Sequence, residues 1–363
     1  MASVRPRGRA SAVAKRTATF AVAAAAALVV VAGCASGAAA GRGASGHGSG
    51  GASGRSPVQE AYEAAVRKVL PSVVEISAGG TTGSGVVYDS RGDIVTNAHV
   101  IGNRKDFTVL TSVLSEPVKA HLIGLFAPDD LAVIRVDRDQ ASLRPVHWAN
   151  SARVQVGDIV LAMGNPYGLV DSVTQGIVSA TGRAVTGERI KGQPPTAISD
   201  AIQTSAAINP GNSGGALVLL SGRVVGIPTL SAQDPQLGTP AEGIGFAIPS
   251  DTVRDIAAQL ISRGKVTRSG RASLDITGQT HVSGDEDKPD GVSVDAATRG
   301  GAGARAGIRA GDIIVGLGGR ATPTLNELED ALLDYRPGQQ VKVEVLRDGS
   351  PRQFTATLDS LTG

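Results

Sequence analysis

Apolar residues recur along most of the chain in short runs that are separated by glycine, proline and polar residues. Short runs with this punctuation are typical of β-strands and favour a barrel or a sandwich. The predicted strands cover residues 73–77, 86–88, 94–96, 107–110, 118–125, 131–136, 158–163, 172–179, 197–204, 217–220, 224–227 and 243–248. This part of the chain is therefore predicted to be mainly β.

Two amphipathic helices flank this series of strands. The first begins at Pro57, because proline suits the first position of a helix, and ends before Pro71. The second covers residues 250–263 and ends at Gly264. Strands and helices together predict one domain over residues 58–264, followed by a short connector.

A second, smaller domain is predicted over residues 271–361. Its helix begins with a capping box, in which Thr324 and Glu327 satisfy each other's backbone N–H groups. The helix is predicted over residues 325–333, and strands are predicted over residues 274–277, 341–346 and 353–358. The second domain is therefore expected to be α+β.

The first 57 residues differ in composition from the remainder. They contain seven Lys or Arg residues and no Asp or Glu, whereas the residues from 58 onward contain 28 basic and 33 acidic residues. The predicted domains are therefore mildly acidic, which gives no support to a nucleic-acid partner. Residues 35–57 are mostly glycine, alanine and serine, a composition that predicts a flexible linker.

Cys34 is the only cysteine of the chain and follows an apolar segment. A basic stretch and then an uncharged run over residues 17–32 are typical of a secretory signal, which would occupy residues 1–34. Residues 31–34, Val-Ala-Gly-Cys, resemble a bacterial lipobox, which implies that cleavage leaves Cys34 as a lipidated first residue. An uncleaved membrane anchor and ordinary cleavage nearby are the alternatives. All three place the globular part outside the cytoplasm.

Residues 209–215, Asn-Pro-Gly-Asn-Ser-Gly-Gly, place Ser213 among small residues. Glycines allow a sharp turn that exposes a nucleophilic hydroxyl and points amides at an oxyanion. The stretch alone is also compatible with a tight turn or with the Gly-x-Ser-x-Gly elbow of α/β-hydrolases. The elbow requires a histidine after the serine, and the histidine that follows, His281, lies in the second predicted domain.

A histidine and an aspartate precede Ser213 in motifs of their own. Residues 96–100 are Thr-Asn-Ala-His-Val, with His99, and residues 130–133 are Asp-Leu-Ala-Val, with Asp130. The order His, Asp, Ser is that of chymotrypsin-type proteases. Together with the Ser213 motif, these segments resemble the HtrA family of serine proteases. The resemblance implies a chymotrypsin-like double β-barrel with the active site between the barrels.

The resemblance also implies a role for each of these residues. His99 is expected to be the general base, Asp130 to orient its imidazole and Ser213 to be the nucleophile. Asp129 is the rival of Asp130 and is expected to be a solvated turn residue.

The segment around the nucleophile is expected to bind the substrate. The amides of Gly211 and Ser213, with Asn212 between them, are expected to form the oxyanion hole. The residues expected beside the specificity pocket are Ala207, Ile208 and residues 229–242. The family resemblance implies cleavage of unfolded chains after small or medium apolar residues, and assembly as a homotrimer. No His, Cys and carboxylate cluster occurs at ligand spacing, so no metal or redox cofactor is expected.

Residues 304–317 resemble a segment of the PDZ domains of bacterial proteases. The resemblance implies a groove between strand 274–277 and the following helix, where a peptide C-terminus would add a strand. Candidate groove residues, for which the alternative is a plain core position, are Leu274, Ile276, Leu328 and Leu332. Asp275 replaces the usual glycine of the carboxylate-binding turn, and would repel a terminal carboxylate unless it points away.

The sequence therefore predicts a serine endopeptidase that cleaves unfolded or misfolded extracytoplasmic proteins from a membrane-attached position. The alternative is a chaperone-like or scaffold protein that binds unfolded chains without cleaving them. A broken set of His, Asp and Ser would favour that alternative, and the sequence contains all three.

Overall fold

The computed structural model describes residues 56–137, 143–165, 172–186, 197–209, 211–233, 240–283 and 288–363. The chain from Gly54 onward belongs to one compact unit. Strands predominate in it, so the prediction of a mainly β protein is confirmed.

The first barrel is built from β1 (Val73–Ala78), β2 (Thr81–Val87), β3 (Asp93–Thr96), β4 (Asp106–Leu110), β5 (Val118–Phe126) and β6 (Leu131–Val136). The strands close in the order β1-β2-β3-β6-β5-β4. Alternate side chains of a strand point to the barrel interior, and the large ones here, Ile76, Ile94 and Ile134, are almost fully buried.

The second barrel is built from β7 (Ile159–Gly164), β8 (Ser172–Thr186), β9 (Ala197–Thr204), β10 (Ala216–Leu219), β11 (Val224–Gln233) and β12 (Pro240–Pro249). It closes in the order β10-β11-β12-β9-β8-β7. The expected double barrel is therefore confirmed. A separate core that includes Phe126, Leu161 and Met163 contains residues of both barrels.

The first and third helices pack on this core, whereas Ile101 of the second belongs to the core of the first barrel. The first, α1 (Pro57–Val69), continues into a 3₁₀ turn at Leu70–Ser72, and α2 (Ala98–Ile101) is a single short turn. The third, α3 (Ser250–Arg263), ends at Gly264 in the left-handed conformation, as predicted. Apolar side chains such as Val69 and Leu260 are buried against the core.

The second domain contains β13 (Ala272–Ser273), β14 (Ile276–Val282), β15 (Pro289–Ala297), β16 (Ile313–Leu317), β17 (Arg320–Ala321), β18 (Gln340–Arg347), β19 (Ser350–Thr357), β20 (Asp359–Ser360), α4 (Ala302–Ala306) and α5 (Leu325–Leu333). Its main sheet has the order β14-β15-β16-β18-β19. Both halves of the predicted capping box at Thr324 and Glu327 are present.

The predicted bounds of the strand over residues 274–277 are wrong. The chain turns at Asp275, whose φ is 52°, and the strand β14 begins only at Ile276. A residue in the left-handed conformation cannot continue an extended strand. The hydroxyl of Ser273 accepts the N–H of Asp275 at 2.8 Å and stabilises this turn.

Candidate active site

Two turns bring His99 and Asp130 together at one end of the first barrel. Strand β3 ends at Thr96, and α2 begins at Ala98, so His99 lies at the barrel rim. Asp130 precedes β6 and has a φ of 53°. The ends of β3 and β6 meet because Thr96 pairs with Ala132. As a result, Oδ2 of Asp130 lies 2.7 Å from Nδ1 of His99.

Several donors hold Asp130 in this position. Its carbonyl accepts the backbone N–H of Ala98 and the side-chain amide of Asn97, each at 3.0 Å. Its Oδ1 accepts the N–H of His99 at 2.9 Å. The hydroxyl of Thr229, from β11 of the second barrel, donates to Oδ2. Asp130 is therefore 1% exposed, and its carboxylate is fixed toward the imidazole.

The pKa of His99 is raised above its ordinary value. Burial lowers this pKa, but the hydrogen bond and the negative charge of Asp130 raise it by more. The contact favours the tautomer in which Nδ1 carries the proton and donates to Asp130, because a carboxylate only accepts. The lone pair then lies on Nε2, as a general base requires.

Polar groups of the chain itself hold the loop that carries Ser213. Asn212 donates from Nδ2 to the carbonyl of Ala207 at 2.9 Å, and its backbone N–H donates to the carbonyl of Asn209 at 3.1 Å. Gly211 has a φ of 114°, a conformation that glycine adopts without strain. Within the described residues, no acceptor is recorded for the N–H groups of Gly211 and Ser213.

Ser84, in β2, joins this loop to the first barrel. Its backbone N–H donates to the carbonyl of Ser213 at 3.2 Å, and its hydroxyl donates to the carbonyl of Gly211. A Cβ atom added to Gly214 would lie 3.2 Å from the backbone nitrogen of Asn97. The loop that carries Ser213 thus packs against Asn97, which is two residues before His99 in the chain. Among the described contacts, no hydrogen bond joins the His99 ring directly to the Ser213 hydroxyl, a bond that is often long without substrate.

The motifs in the sequence do not identify Thr229 or Ser84 as parts of this site. Thr229 is expected only in the loop over residues 229–242, yet it lies in β11 and is 6% exposed. No pattern in the sequence distinguishes Thr229, because the same strand also contains the polar residues Ser231 and Gln233. For Ser84, the signal was a serine between two glycines, which allow other backbone to approach closely.

Ala207 and Ile208, which were named for the specificity pocket, lie beside the loop that carries Ser213. Ile208 is 7% exposed and packs so closely on Gly245 that a Cβ atom added there would lie 2.3 Å from its Cγ1. The carbonyl of Ala207 accepts the hydroxyl of Thr174 at 2.8 Å. Residues 234–239, within the predicted pocket loop, lie outside the described residues.

The expectation that Asp129 is a solvated turn residue is wrong. Asp129 is 3% exposed, and its Oδ1 lies 3.1 Å from a guanidinium nitrogen of Arg271. Burial raises the pKa of Asp129 to about 6, although the charge and hydrogen bond of Arg271 lower it. The turn thus points Asp130 at His99 and Asp129 at Arg271, where the second domain begins.

The predicted groove residues of the second domain all line one cavity of about 170 Å³. Leu274 and Leu328 are each 2% exposed and belong to the domain core. Ile276 and Leu332 are partly buried and pack against that core. The cavity lies between α5 and residues 271–276, of which only Ile276 belongs to β14, and Pro128 and Ser199 of the first domain also line it.

Cys34 and the predicted signal over residues 1–34 lie outside the described residues, as does nearly all of the linker. In the part of the chain that the structure describes, no helix is both long and apolar enough to cross a membrane. Over the same ranges, no group of three or more His, Cys, Asp or Glu side chains is arranged to hold a metal ion.

Comparison with known proteins agrees with this geometry. A trypsin-like peptidase domain model matches residues 83–227, and a PDZ domain model matches residues 275–358. Serine endoprotease DegS of Escherichia coli K12 is 36% identical over 313 residues, which cover 82% of this chain and 85% of that protein. Periplasmic pH-dependent serine endoprotease DegQ of the same strain is 34% identical over 329 residues, covering 82% of this chain and 70% of that protein.

A solved structure shares both domains. The HtrA-type protease AlgW with tripeptide is 31% identical to this chain and has a TM-score of 0.53. The match covers 82% of this chain and 96% of the AlgW chain. Fold and likeness together define a serine-type endopeptidase with a trypsin-like domain and one PDZ domain. The chain belongs to the HtrA family of serine proteases. A scaffold without proteolytic activity is not favoured, because these relatives are proteases.

Proposed function

We propose that this chain cleaves unfolded or misfolded polypeptides outside the cytoplasm, as part of protein quality control. Ser213 is the proposed nucleophile, His99 the general base and Asp130 the residue that orients it. The observation that carries this proposal is the 2.7 Å contact between Asp130 and His99 at the rim on which the Ser213 loop packs.

The proposed reaction passes through an acyl-enzyme. His99 takes the proton of the Ser213 hydroxyl at Nε2 while the oxygen attacks the substrate carbonyl. Asp130 stabilises the imidazolium that forms, and the N–H groups of Gly211 and Ser213 bind the oxyanion. His99 then gives the proton to the leaving amine, and the same groups activate water to release the acyl chain.

The proposed substrates have small or medium apolar residues before the cleaved bond. Buried Ile208 and the adjacent Ala207 give the proposed pocket an apolar wall. Residues 206–213 contain no carboxylate that would select a basic side chain.

Casein hydrolysis by the full chain tests the proposed nucleophile. Ser213→Ala should reduce the rate by about a thousandfold or more, because removal of a triad member costs several orders of magnitude. Ser221→Ala is the matched control, since Ser221 is an exposed serine in the next turn. Residual activity of Ser213→Ala within about tenfold of the control, at unchanged melting temperature, would contradict the proposal.

We also propose that Cys34 is lipidated and anchors the chain to the membrane. The apolar run before residues 31–34 supports this, and secretion and an uncleaved single-pass anchor are the alternatives. Intact mass of membrane-extracted protein should show a diacylglyceryl adduct on a chain that begins at Cys34. A mass that still includes residues 1–33 would rule this out.

Two further features belong to the same proposal. The protease domain is assigned to residues 58–264 and the PDZ domain to residues 271–361, consistent with the matched ranges. A homotrimer formed through the protease domain is proposed from the family resemblance, and light scattering of the purified chain would give its mass.

A further inference from the structure

Asn97 points its side chain away from the helix that it precedes. An asparagine directly before a helix normally accepts a backbone N–H of the first turn through its side-chain oxygen. Asn97 occupies that position before α2, yet its side chain makes no such bond. Its Nδ2 instead donates to the carbonyl of Asp130 at 3.0 Å. The side chain therefore serves a residue 33 positions further along the chain.

The carboxylate of Asp130 accepts the N–H group that Asn97 leaves free. The backbone N–H of His99, in the first turn of α2, donates to Oδ1 of Asp130 at 2.9 Å, while Oδ2 contacts Nδ1 of His99 at 2.7 Å. Asp130 makes both contacts from a backbone conformation with a φ of 53°, which costs free energy for a residue other than glycine. Neighbouring groups must therefore hold this turn in place.

The carbonyl of Asp130 is where the turn is held. It accepts the backbone N–H of Ala98 and the side-chain amide of Asn97, each at 3.0 Å. Asn97 is fully buried, so water cannot replace its amide if the side chain is changed. The side chain of Asn97 thus fixes the orientation of the Asp130 peptide, and with it the direction of the carboxylate.

The other end of the Asn97 side chain has no protein partner. Among the described residues, no hydrogen-bond partner is recorded for its buried Oδ1. A buried acceptor without a partner destabilises a fold, so an apolar side chain would serve stability better at this position. A residue that breaks such a rule without a compensating gain in stability is expected at a functional site.

We propose that Asn97 is a positioning residue for the catalytic reaction and acts through Asp130. Its amide holds the left-handed turn from which the carboxylate of Asp130 reaches the imidazole of His99. Asn97 itself touches neither the substrate nor a reacting atom. The inference rests on the proposed function, because it adds a supporting residue to the set of His99, Asp130 and Ser213.

Steady-state hydrolysis of a chromogenic peptide by the full chain tests the proposal. Asn97→Leu keeps the branched shape and removes both the donor and the unpaired acceptor, and the smaller Asn97→Ala covers the case in which leucine does not fit. We expect kcat to fall by about tenfold with little change in KM, because a displaced base acts mainly on the transition state. The melting temperature should change little, since Ala98 still donates to the Asp130 carbonyl.

Ser250→Ala is the matched control. The hydroxyl of Ser250, fully buried at the start of α3, donates to the carbonyl of Ala149 at 3.0 Å. Its loss removes a buried bond of the same kind, and within the described residues no hydrogen bond joins this serine to Asp130. We expect a lower melting temperature and an unchanged kcat, the opposite of the result for Asn97.

An NMR titration of the histidine-labelled Ser213→Ala chain gives a readout that needs no cleavage. Burial lowers the pKa of His99, and the hydrogen bond and charge of Asp130, the charged group recorded to act on it among the described residues, raise it by more. Asn97→Leu should lower this pKa by about half a unit or more, because the carboxylate is held less closely. In an Asp130→Asn background, Asn97→Leu should cause no further change, because it acts only through that carboxylate.

Three outcomes would overturn the proposal. They are a kcat that both Asn97 variants leave unchanged, a loss of kcat without a change in the pKa of His99, and a pKa change that persists in the Asp130→Asn background. Each can occur while the unmodified chain hydrolyses casein, so failure of this inference is distinguishable from failure of the proposed function. Conversely, the shift in the His99 titration can be observed in a chain that does not cleave casein.

Discussion

The hydroxyl of Ser84 connects three segments at the catalytic cleft. It donates to the carbonyl of Gly211 and accepts the N–H of Asn165 at 2.9 Å, while the Ser84 carbonyl accepts the hydroxyl of Thr96 at 2.6 Å. Ser84 is fully buried, so water cannot replace these bonds. It touches neither substrate nor a reacting atom, which makes it a positioning residue for the loop that carries Ser213.

Ser84→Ala should lower kcat by about tenfold while KM changes little. The loop would lose the bond that fixes the Gly211 carbonyl, and misplaced oxyanion donors weaken the transition state more than the bound substrate. The measurement is steady-state hydrolysis of a chromogenic peptide, with the melting temperature recorded for each variant.

Ser77→Ala provides a comparison within the same barrel. The Ser77 hydroxyl donates to Glu75 at 2.7 Å, and within the described residues no hydrogen bond is recorded between it and the loop that carries Ser213. Ser84→Thr, which keeps a hydroxyl, should retain more activity than Ser84→Ala. A positioning role would be excluded if Ser84→Ala lost stability but kept its kcat.

At the scale of elements, the helices could be predicted closely because their end signals are local. Gly264 ends α3 with a φ of 69°, and Thr324 and Glu327 begin α5 with a capping box. Each signal acts within about one turn of the helix end, so sequence alone contains it.

Strand bounds depended on partners that the sequence does not display. Strand β8 continues to Thr186, beyond the predicted end at residue 179, because β9 pairs with it through several register shifts. Strand β14 begins later than predicted because Asp275 turns the chain. Strand pairing sets the end of β8, and turn conformation sets the start of β14. The hydrophobic pattern determines neither of these bounds.

The candidate site shows the same division between local and distant information. His99, Asp130 and Ser213 could be proposed because each lies in a recognisable motif. The contact from Thr229 to Asp130 joins positions 99 residues apart, and no motif marks it. The burial of Asp129 depends on Arg271, which is 142 residues away.

On the scale of the whole molecule, polar contacts join the protease domain to the PDZ domain. Asp129, directly before Asp130, contacts Arg271, which is 10% exposed. The hydroxyl of Thr186, at the end of β8, donates to Asp330 on α5. Because the charged pair is buried, removing one partner leaves an uncompensated charge, which is far more costly than losing a surface ion pair.

Arg271→Gln should therefore destabilise the protein more at pH 8 than at pH 5. Burial already raises the pKa of Asp129 from 3.8 to about 6 with Arg271 present, and loss of the cation raises it further. A carboxyl whose pKa is higher in the folded state than in the unfolded state stabilises the fold at pH values below its unfolded-state pKa. This contribution is lost as the pH rises through the folded-state pKa. The expected loss is about 3 kcal/mol at pH 8, where Asp129 must ionise without a partner.

Urea unfolding followed by the fluorescence of Trp148, the single tryptophan, measures this loss at each pH. The matched control is Asp129→Asn/Arg271→Gln, which removes both charges and should recover part of the stability at pH 8 with little change at pH 5. In the single variant, protonation of Asp129 at pH 5 removes the buried charge, so much of the loss should disappear there. An equal loss at pH 5 and pH 8 would mean that Arg271 stabilises the domain contact through its hydrogen bond to the Pro128 carbonyl and its packing, not by neutralising Asp129.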